Sequence, residues 1–439
     1  MGRAIRWGLI SVVVVLAAAI AAPFLVPVSS LIPELTLAAS EKLRQPVTME
    51  DLRLHLLPTP RVVANHITIG KRDQILIGEV EIVPELWPAL TGDWTIRLIR
   101  ADKVAIDHSA FDIPRGMSKA KSAGEPVLVR RVLLTQVKLN HARIELPQFD
   151  IDVRMGAGLQ VSEARFEARD GSFRLLVEPT GKDAAVVTLN ARSWTLPVGT
   201  PLRFDTLVAE GVVRGEQLEL ARIEGELYGG RIAGSARVEW GKQWSLSGRA
   251  KLAGVDLQPV QQAMGKPGKL SGRLKADAVF SSRARQPGEL RQALVLDGPF
   301  DVAGGAYKGV DLSKAGELSG KAAAGDTTTF QELKGNLELR GEHVKLNQLC
   351  VRSPKVVAGG NVEVAPDKKL SGRLDVSMAQ TGGIVGVPVS LGGTTDDPTL
   401  LPTKGYLIGA AIGTVLLPVI GTSIGSSLGG RIEGGTDCR

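Results

Sequence analysis

From Val47 onward, apolar and polar residues take turns along the chain. In "DLRLHLL", Leu52, Leu54 and Leu56 alternate with Arg53 and His55. "GEVEIV" sets Val80 and Ile82 against Glu79 and Glu81, and "WTIRLIR" sets Trp94, Ile96 and Leu98 against Thr95 and Arg97. The same period of two returns in "VKLNHARIEL" and in "GNLELRGEHVKLNQLCV". A period of two means strands with one apolar and one wet face. Gly, Pro, Asp or Asn punctuates them at short intervals, which predicts antiparallel neighbours. Helical stripes are scarce, with "PVQQAMGK" around Val260 among the few. "LSGR" at Leu246, Leu270 and Leu370, with "LSGK" at Leu318, suggests a recurring turn–strand unit. Some twenty antiparallel strands with few large rings favour an elongated, twisted sheet whose apolar face curls into a groove, over compact sandwiches or a regular β-helix.

Two stretches break the alternation. At the start, Arg3 and Arg6 precede an uncharged run from Trp7 to Val28. At 1.5 Å per residue that run gives about 33 Å of helix, enough to cross a hydrocarbon core. The reading is an uncleaved transmembrane anchor over 1–28, with a cleavable signal peptide as the alternative. The Arg pair places the N-terminus in the cytoplasm and exports the rest. Residues 29–46 follow as a membrane-proximal amphipathic helix, with Leu31, Leu35 and Ala39 on one stripe. At the other end, "GYLIGAAIGTVLLPVIGTSIGSSLGG" carries no charge until Arg431. Gly409 and Gly413, then Gly421, Gly425 and Gly429, recur at a spacing that lets helices approach closely, and Pro418 divides them into a short helical hairpin over 403–430. A glycine-rich tail packed on its own domain is the alternative. Residues 431–439 form a tail.

Composition narrows the functions. The net charge is +7 over 439 residues, with both signs interspersed along the chain, so a nucleic-acid binder's basic patch is missing. Cys350 and Cys438 form no CxxC, and the expectation is two unpaired thiols, one of them in the core. His55, His66, His108, His141 and His343 are scattered without metal spacing, so no metal or cofactor is implied. No GxSxG elbow or phosphate loop occurs. Asp396 and Asp397 in "TTDDP" suit a turn better than an acid/base pair. No catalytic residue can be named, and the chain is read as a non-enzyme.

"FLVPVSSLIPELTLAASEKLRQPVTMEDLRLHLLPTPRVVANHITIG", followed by "WPALTGDWTIRLIRADKVAID", resembles the N-terminal part of the AsmA family. "ELYGGRIAGSARVEW", "GAYKGVDLSKAG", "FQELKGNLELRGEHVKLNQLCVRSPKVVAGGNVEV" and "VPVSLGGTTDDPTLLP" resemble its C-terminal region. The order of these motifs carries the resemblance, and residues 119–206 rest on the strand pattern alone. The resemblance implies an N-terminal β region over 47–206 and a C-terminal one over 207–402. It also implies a single-pass inner-membrane protein whose bulk lies in the periplasm of a Gram-negative bacterium. Such proteins are related to bridge-like lipid-transfer proteins, and are implicated in phospholipid supply to the outer membrane and in envelope integrity. The implied partners are phospholipids, the inner membrane, and an outer membrane or envelope protein at the C-terminal end. The expected groove face comprises Leu52, Leu54, Leu56, Val80, Ile82, Trp94, Ile96 and Leu98. Alternation alone leaves open whether these residues line a lipid groove or a dry core. A non-catalytic envelope scaffold is therefore the alternative function, with an exported glycan enzyme as a third.

Overall fold

The computed structural model describes residues 32–85, 95–107, 109–110, 128–140, 146–156, 160–181, 183–197, 200–314, 326–378, 386–407 and 438. The anchor expected over 1–28 and the glycines expected to pack at 409–429 lie outside them, as does Trp94. Among the described residues, no helix is long and apolar enough to cross a membrane. The chain is mainly β and mostly antiparallel, as its period of two predicts, and it divides into two compact units, Met1–Asn190 and Ala191–Arg439.

The first unit opens with helix α1 (Ile32–Leu43), inside the expected 29–46 segment. Arg44 then takes a positive φ of 52°, which ends the helix, and Ser40 Oγ accepts from the Val47 amide at 2.9 Å. Strands β1 (Val47–Thr48) and β2 (Asp51–His55) both pair with β3 (Arg61–Ile69), and β4 (Ile75–Pro84) and β5 (Thr95–Asp107) extend the sheet. The next step corrects the antiparallel expectation. Strands β6 (Leu128–Val129) and β7 (Arg131–Asn140) run parallel to β5. The stretch of sequence between Asp107 and Leu128 is long enough for the crossover that a parallel pair requires and a hairpin cannot give. Strands β8 (Phe149–Met155), β9 (Val161–Ala168) and β10 (Phe173–Pro179) resume the antiparallel order. The divide between the units falls within β11 (Ala184–Thr195).

The second unit is an antiparallel meander: β12 (Arg203–Arg214), β13 (Gln217–Leu227), β14 (Gly230–Glu239), β15 (Trp244–Asp256), β16 (Arg273–Ala284), β17 (Val295–Lys308), β18 (Thr327–Arg340), β19 (His343–Arg352), β20 (Val356–Val364), β21 (Leu370–Met378), β22 (Gly386–Gly393) and β23 (Pro398–Pro402). Each strand pairs with the next. Helix α2 (Leu257–Ala263) sits in the β15–β16 connection where "PVQQA" predicts it, and the Asp256 carboxylate caps it by accepting from the Gln258 amide.

"LSGR" acquires a physical meaning here. In β15 and again in β21 its Leu and Gly (Leu246 and Gly248, Leu370 and Gly372) fall on the apolar face, and its Ser and Arg on the polar one. A side chain on Gly248 would run into the Ser235 carbonyl of β14, and one on Gly372 into the Asn361 carbonyl of β20. The glycine lets neighbouring backbone come close on the apolar side.

The cysteines also correct the expectation: Cys350 and Cys438 form a disulfide, their Cα atoms 5.4 Å apart. That distance is ordinary for a bridge, and the 88-residue separation in sequence gave no hint of it. Cys350 lies between Leu349 and Val351 on β19 and therefore points to the opposite face from that apolar pair.

Burial grades across the second unit. Val302, Val351, Val356, Ala358 and Val376 belong to a dry core, which Val310 and Leu312 of the β17–β18 connection join. The buried Thr328 hydroxyl fixes that connection, donating to the Val310 carbonyl at 2.8 Å and accepting from the Leu312 amide at 3.0 Å. Towards the opposite strand ends, apolar residues on the same face, such as Val344, are only half-buried. Truncation should report the difference. Val302→Ala, 1% exposed, is expected to cost about 2 kcal/mol, and Val344→Ala less than about 1 kcal/mol, in urea denaturation followed by circular dichroism.

Candidate functional site

The strand register decides which side chains share a face. In the first unit one row of paired positions runs from β2 to β10 through Leu52, Ala64, Val80, Ala101, Leu134, Ile151, Phe166 and Leu175. A second row beside it runs through Leu54, Val62, Ile82, Ile99, Val132, Val153, Ala164 and Val177. Every member of both rows is apolar. Three members of the first row are buried and the rest are half-buried. Leu52 and Ala64 are enclosed beneath Ile32, Ala39 and Leu43 of α1, and Ala101 packs with Val104 and Val137. Every residue of the second row is half-exposed.

Of the expected groove residues, Leu54 and Ile82 therefore stand on the half-exposed row, while Leu52 is core and Val80 packs against it. Leu56 follows the end of β2 and is half-buried. Ile96 lies opposite Pro84, two positions beyond Ile82, so it shares that face. Leu98 is corrected. It lies opposite Val83, whose neighbours Ile82 and Pro84 face the other way, because a register shift between Val83 and Pro84 interrupts the simple alternation of β5. Alternation within the neighbouring strands, followed past Leu98, would have found Ile99, Val132 and Val153.

The second unit repeats the arrangement. Leu220, Ala236, Gly248, Phe280, Leu296, Leu339, Val344, Val364 and Leu370 form a paired row from β13 to β21, all half-exposed. Its contour is about 40 Å at the usual strand spacing. On the same face, nearer the other strand ends, Val255, Val302, Val351, Ala358 and Val376 are buried.

A polar clasp closes the dry side. Lys269, just before β16, donates from Nζ to the Thr395 carbonyl at 2.7 Å and lies 3.5 Å from Asp396 Oδ1 in the β22–β23 turn. Strands far apart in the meander order thus meet across the apolar face, over Leu257, Leu270 and Tyr307. The turn itself is held by Thr394, whose amide donates to the Asp397 carbonyl and whose hydroxyl accepts from the Asp397 amide. "TTDDP" is therefore a turn. Burial pushes the Tyr307 hydroxyl above the ordinary tyrosine value, and the Asp396 carboxylate adds to the shift.

The opposite face is polar and cross-braced. Arg222 pairs with Glu210 and Glu224, Arg237 with Glu219, and Arg249 with Asp277 at 2.7 Å. The Arg249 hydrogen bonds hold the Asp277 carboxyl below its ordinary range. Of the histidines, His66 is 3.3 Å from Glu50, and His343 pairs with Glu363. Among the described residues no group of His, Cys, Asp and Glu is placed to hold a metal ion. Compared with known proteins, the chain matches no family model, no curated protein and no solved structure.

The clasp makes a prediction for alkaline pH. The folded chain holds the Tyr307 proton more tightly than the unfolded chain does, so stability falls as pH climbs above the ordinary value of 10.0. An ultraviolet titration compared with that of Tyr307→Phe should place the Tyr307 ionisation above the ordinary tyrosine value. Asp396→Asn should lower its value part of the way only, because burial is the larger cause.

Proposed function

We propose that this chain is a membrane-anchored periplasmic carrier that moves phospholipid along an apolar β surface between inner and outer membranes, without catalysis. On this reading it belongs with the AsmA-like proteins that its motifs resemble. The observation that carries the proposal is the half-exposed row in each unit. A folded domain normally buries its contiguous apolar positions or scatters them, and a long unbroken apolar row that its own chain covers only in part calls for an occupant. Acyl chains fit such a strip. Each CH₂ kept from water is worth about 0.8 kcal/mol, so a chain of some sixteen carbons gains on the order of 13 kcal/mol. The strip runs across the strands, so chains can shift from one strand to the next without crossing a polar gap. A disulfide suits an oxidising compartment. The alternative is an envelope scaffold that carries no lipid. The dry cores beneath α1 and around Val302 suit either reading, but a pure scaffold gives the half-exposed rows nothing to do.

Native mass spectrometry with lipid extraction, on the full chain purified without added lipid, tests the proposal. Several phospholipids per chain are expected. Val132→Asp together with Leu296→Asp should lower that number in a chain whose circular dichroism is unchanged. Ser247→Asp, on the polar face, should leave it as it was. A folded chain that carries no lipid would leave the scaffold reading in its place.

A further inference from the structure

The half-exposed row of the second unit has a structured margin at the β14–β15 turn and the β16–β17 connection. Trp244 opens β15 opposite Ala284 and, two residues before Leu246, shares its apolar face. Trp240 follows Val238 by two residues, its amide bonded to the Glu216 carbonyl, and the two indole rings are centred 6.2 Å apart. Both rings are half-buried. Ser282, opposite Leu246 on the apolar face, donates from Oγ to the Leu290 carbonyl at 2.6 Å, which draws the β16–β17 connection back over the end of the apolar positions. The Gly341 amide fixes the far end of that connection on the Leu294 carbonyl at 2.7 Å.

This margin carries Lys242, Arg285 and Arg291, all exposed and none in an ion pair among the described residues, while Arg283, opposite Ser245, stands on the polar face. Arg285 directly follows Ala284, the partner of Trp244. Acids at this margin include Glu216, beside Gly241; Glu239, which accepts from Ser245 Oγ at 3.1 Å; Glu289, which accepts from the Gln286 amide; and exposed Glu342, next to Gly341. On the polar face of the same strands, by contrast, Arg237, Arg249 and Lys251 are engaged with carboxylates.

Paired indoles at the edge of an apolar strip, with unpaired cations just beyond, reproduce the order of a membrane interface: hydrocarbon, then aromatic belt, then phosphate. We infer that this margin is a headgroup site that selects anionic diacyl phospholipids. The acyl chains lie on the Leu220–Leu370 row, the indoles sit at the glycerol level, and Lys242, Arg285 and Arg291 face the phosphate and its negative headgroup. Lysine and arginine stems can reach past the rings while keeping their charges in water. The inference rests on the lipid-carrying reading and adds a preference to it, where a bare apolar strip would take any headgroup.

The test offers the full chain equimolar dioleoyl phosphatidylglycerol and dioleoyl phosphatidylcholine in mixed vesicles, then quantifies the lipid extracted from the re-isolated protein. The wild type is expected to enrich phosphatidylglycerol about fivefold, and Lys242→Gln/Arg285→Gln/Arg291→Gln should abolish the preference while total bound lipid stays the same. Raised salt should weaken the preference in the wild type but not in the variant. Equal occupancy by both lipids in the wild type, or an undiminished preference in the triple variant, overturns the headgroup site and leaves the carrier reading standing. A chain that takes up neither lipid overturns both. As a second readout, phosphatidylglycerol brominated along its acyl chains should quench the wild type more than a Trp240→Phe/Trp244→Phe variant. Equal quenching in the two would remove the indoles from the site.

Discussion

The whole arrangement depends on keeping the strands in phase. Side chains alternate with a period of two, so a slip of one residue between any two neighbours would turn an apolar position outward and cut each row. The rows survive because irregularities are corrected locally. Register shifts occur between Val83 and Pro84, between Leu134 and Val137, and between Leu346 and Leu349. Within β19, Leu346 and Leu349 are three apart, which in a regular strand would place them on opposite faces. The shift puts Leu349 opposite Gly360 and Leu346 opposite Val362, two apart on β20, and so restores both to one face. The polar face helps fix the same phase, since Arg131 with Asp152 and Arg249 with Asp277 join directly neighbouring strands. Such exposed pairs add little stability singly, but they specify which residues stand opposite each other.

A sheet that leaves much of its apolar face half-exposed needs another source of stability. In the first unit, α1 covers Leu52 and Ala64, and Ala101 and Val104 enclose Val137, which is 0% exposed. In the second, the Val310–Leu312 segment and the Lys269 clasp close over Val302, Val351 and Val376. On strands such as β17, β19, β20 and β21 the dry positions lie beside the half-exposed ones, so each of these is held at one place and less covered at another. Val389 and Val356, at 0% and 1% exposure, show how tightly the enclosed part is packed.

The sequence made the strands legible because alternation is a local signal, and "DLRLH" or "GEVEIV" states its own two faces. Which face a residue joins across the sheet is not local, and Leu98 shows the cost: its own strand reads as a clean alternation, but the shift opposite Pro84 turns it away from Ile82. Leu52 reads identically to Leu54, yet only Leu52 lies under α1. A helix whose stripe is visible in sequence does not say which residues of the later strands it will cover. The disulfide was hidden for a related reason, since spacing between cysteines reports distance along the chain and not through space. "LSGR" was visible as a repeat, but its reason, the close approach of a neighbouring carbonyl, exists only once β14 and β20 are in place.

The makeup of the half-exposed rows also bears on how an occupant would behave. The second-unit row places Ala236 and Gly248 between Leu220 and Phe280, and the first-unit row ends in Ala164 and Val177. Large side chains throughout would give a corrugated surface with deep resting places, and deep resting places oppose movement. Interspersed small residues lower the walls between neighbouring positions, while the area kept from water, which sets the driving force, stays nearly constant. A strip meant only to be covered by one fixed partner would gain from interlocking bulk, because complementarity and close packing add to dispersion and specificity. On the carrier reading, Gly, Ala and Val set among nearly as many Leu, Ile and Phe would let an occupant slide past low positions while the larger side chains keep it on the strip.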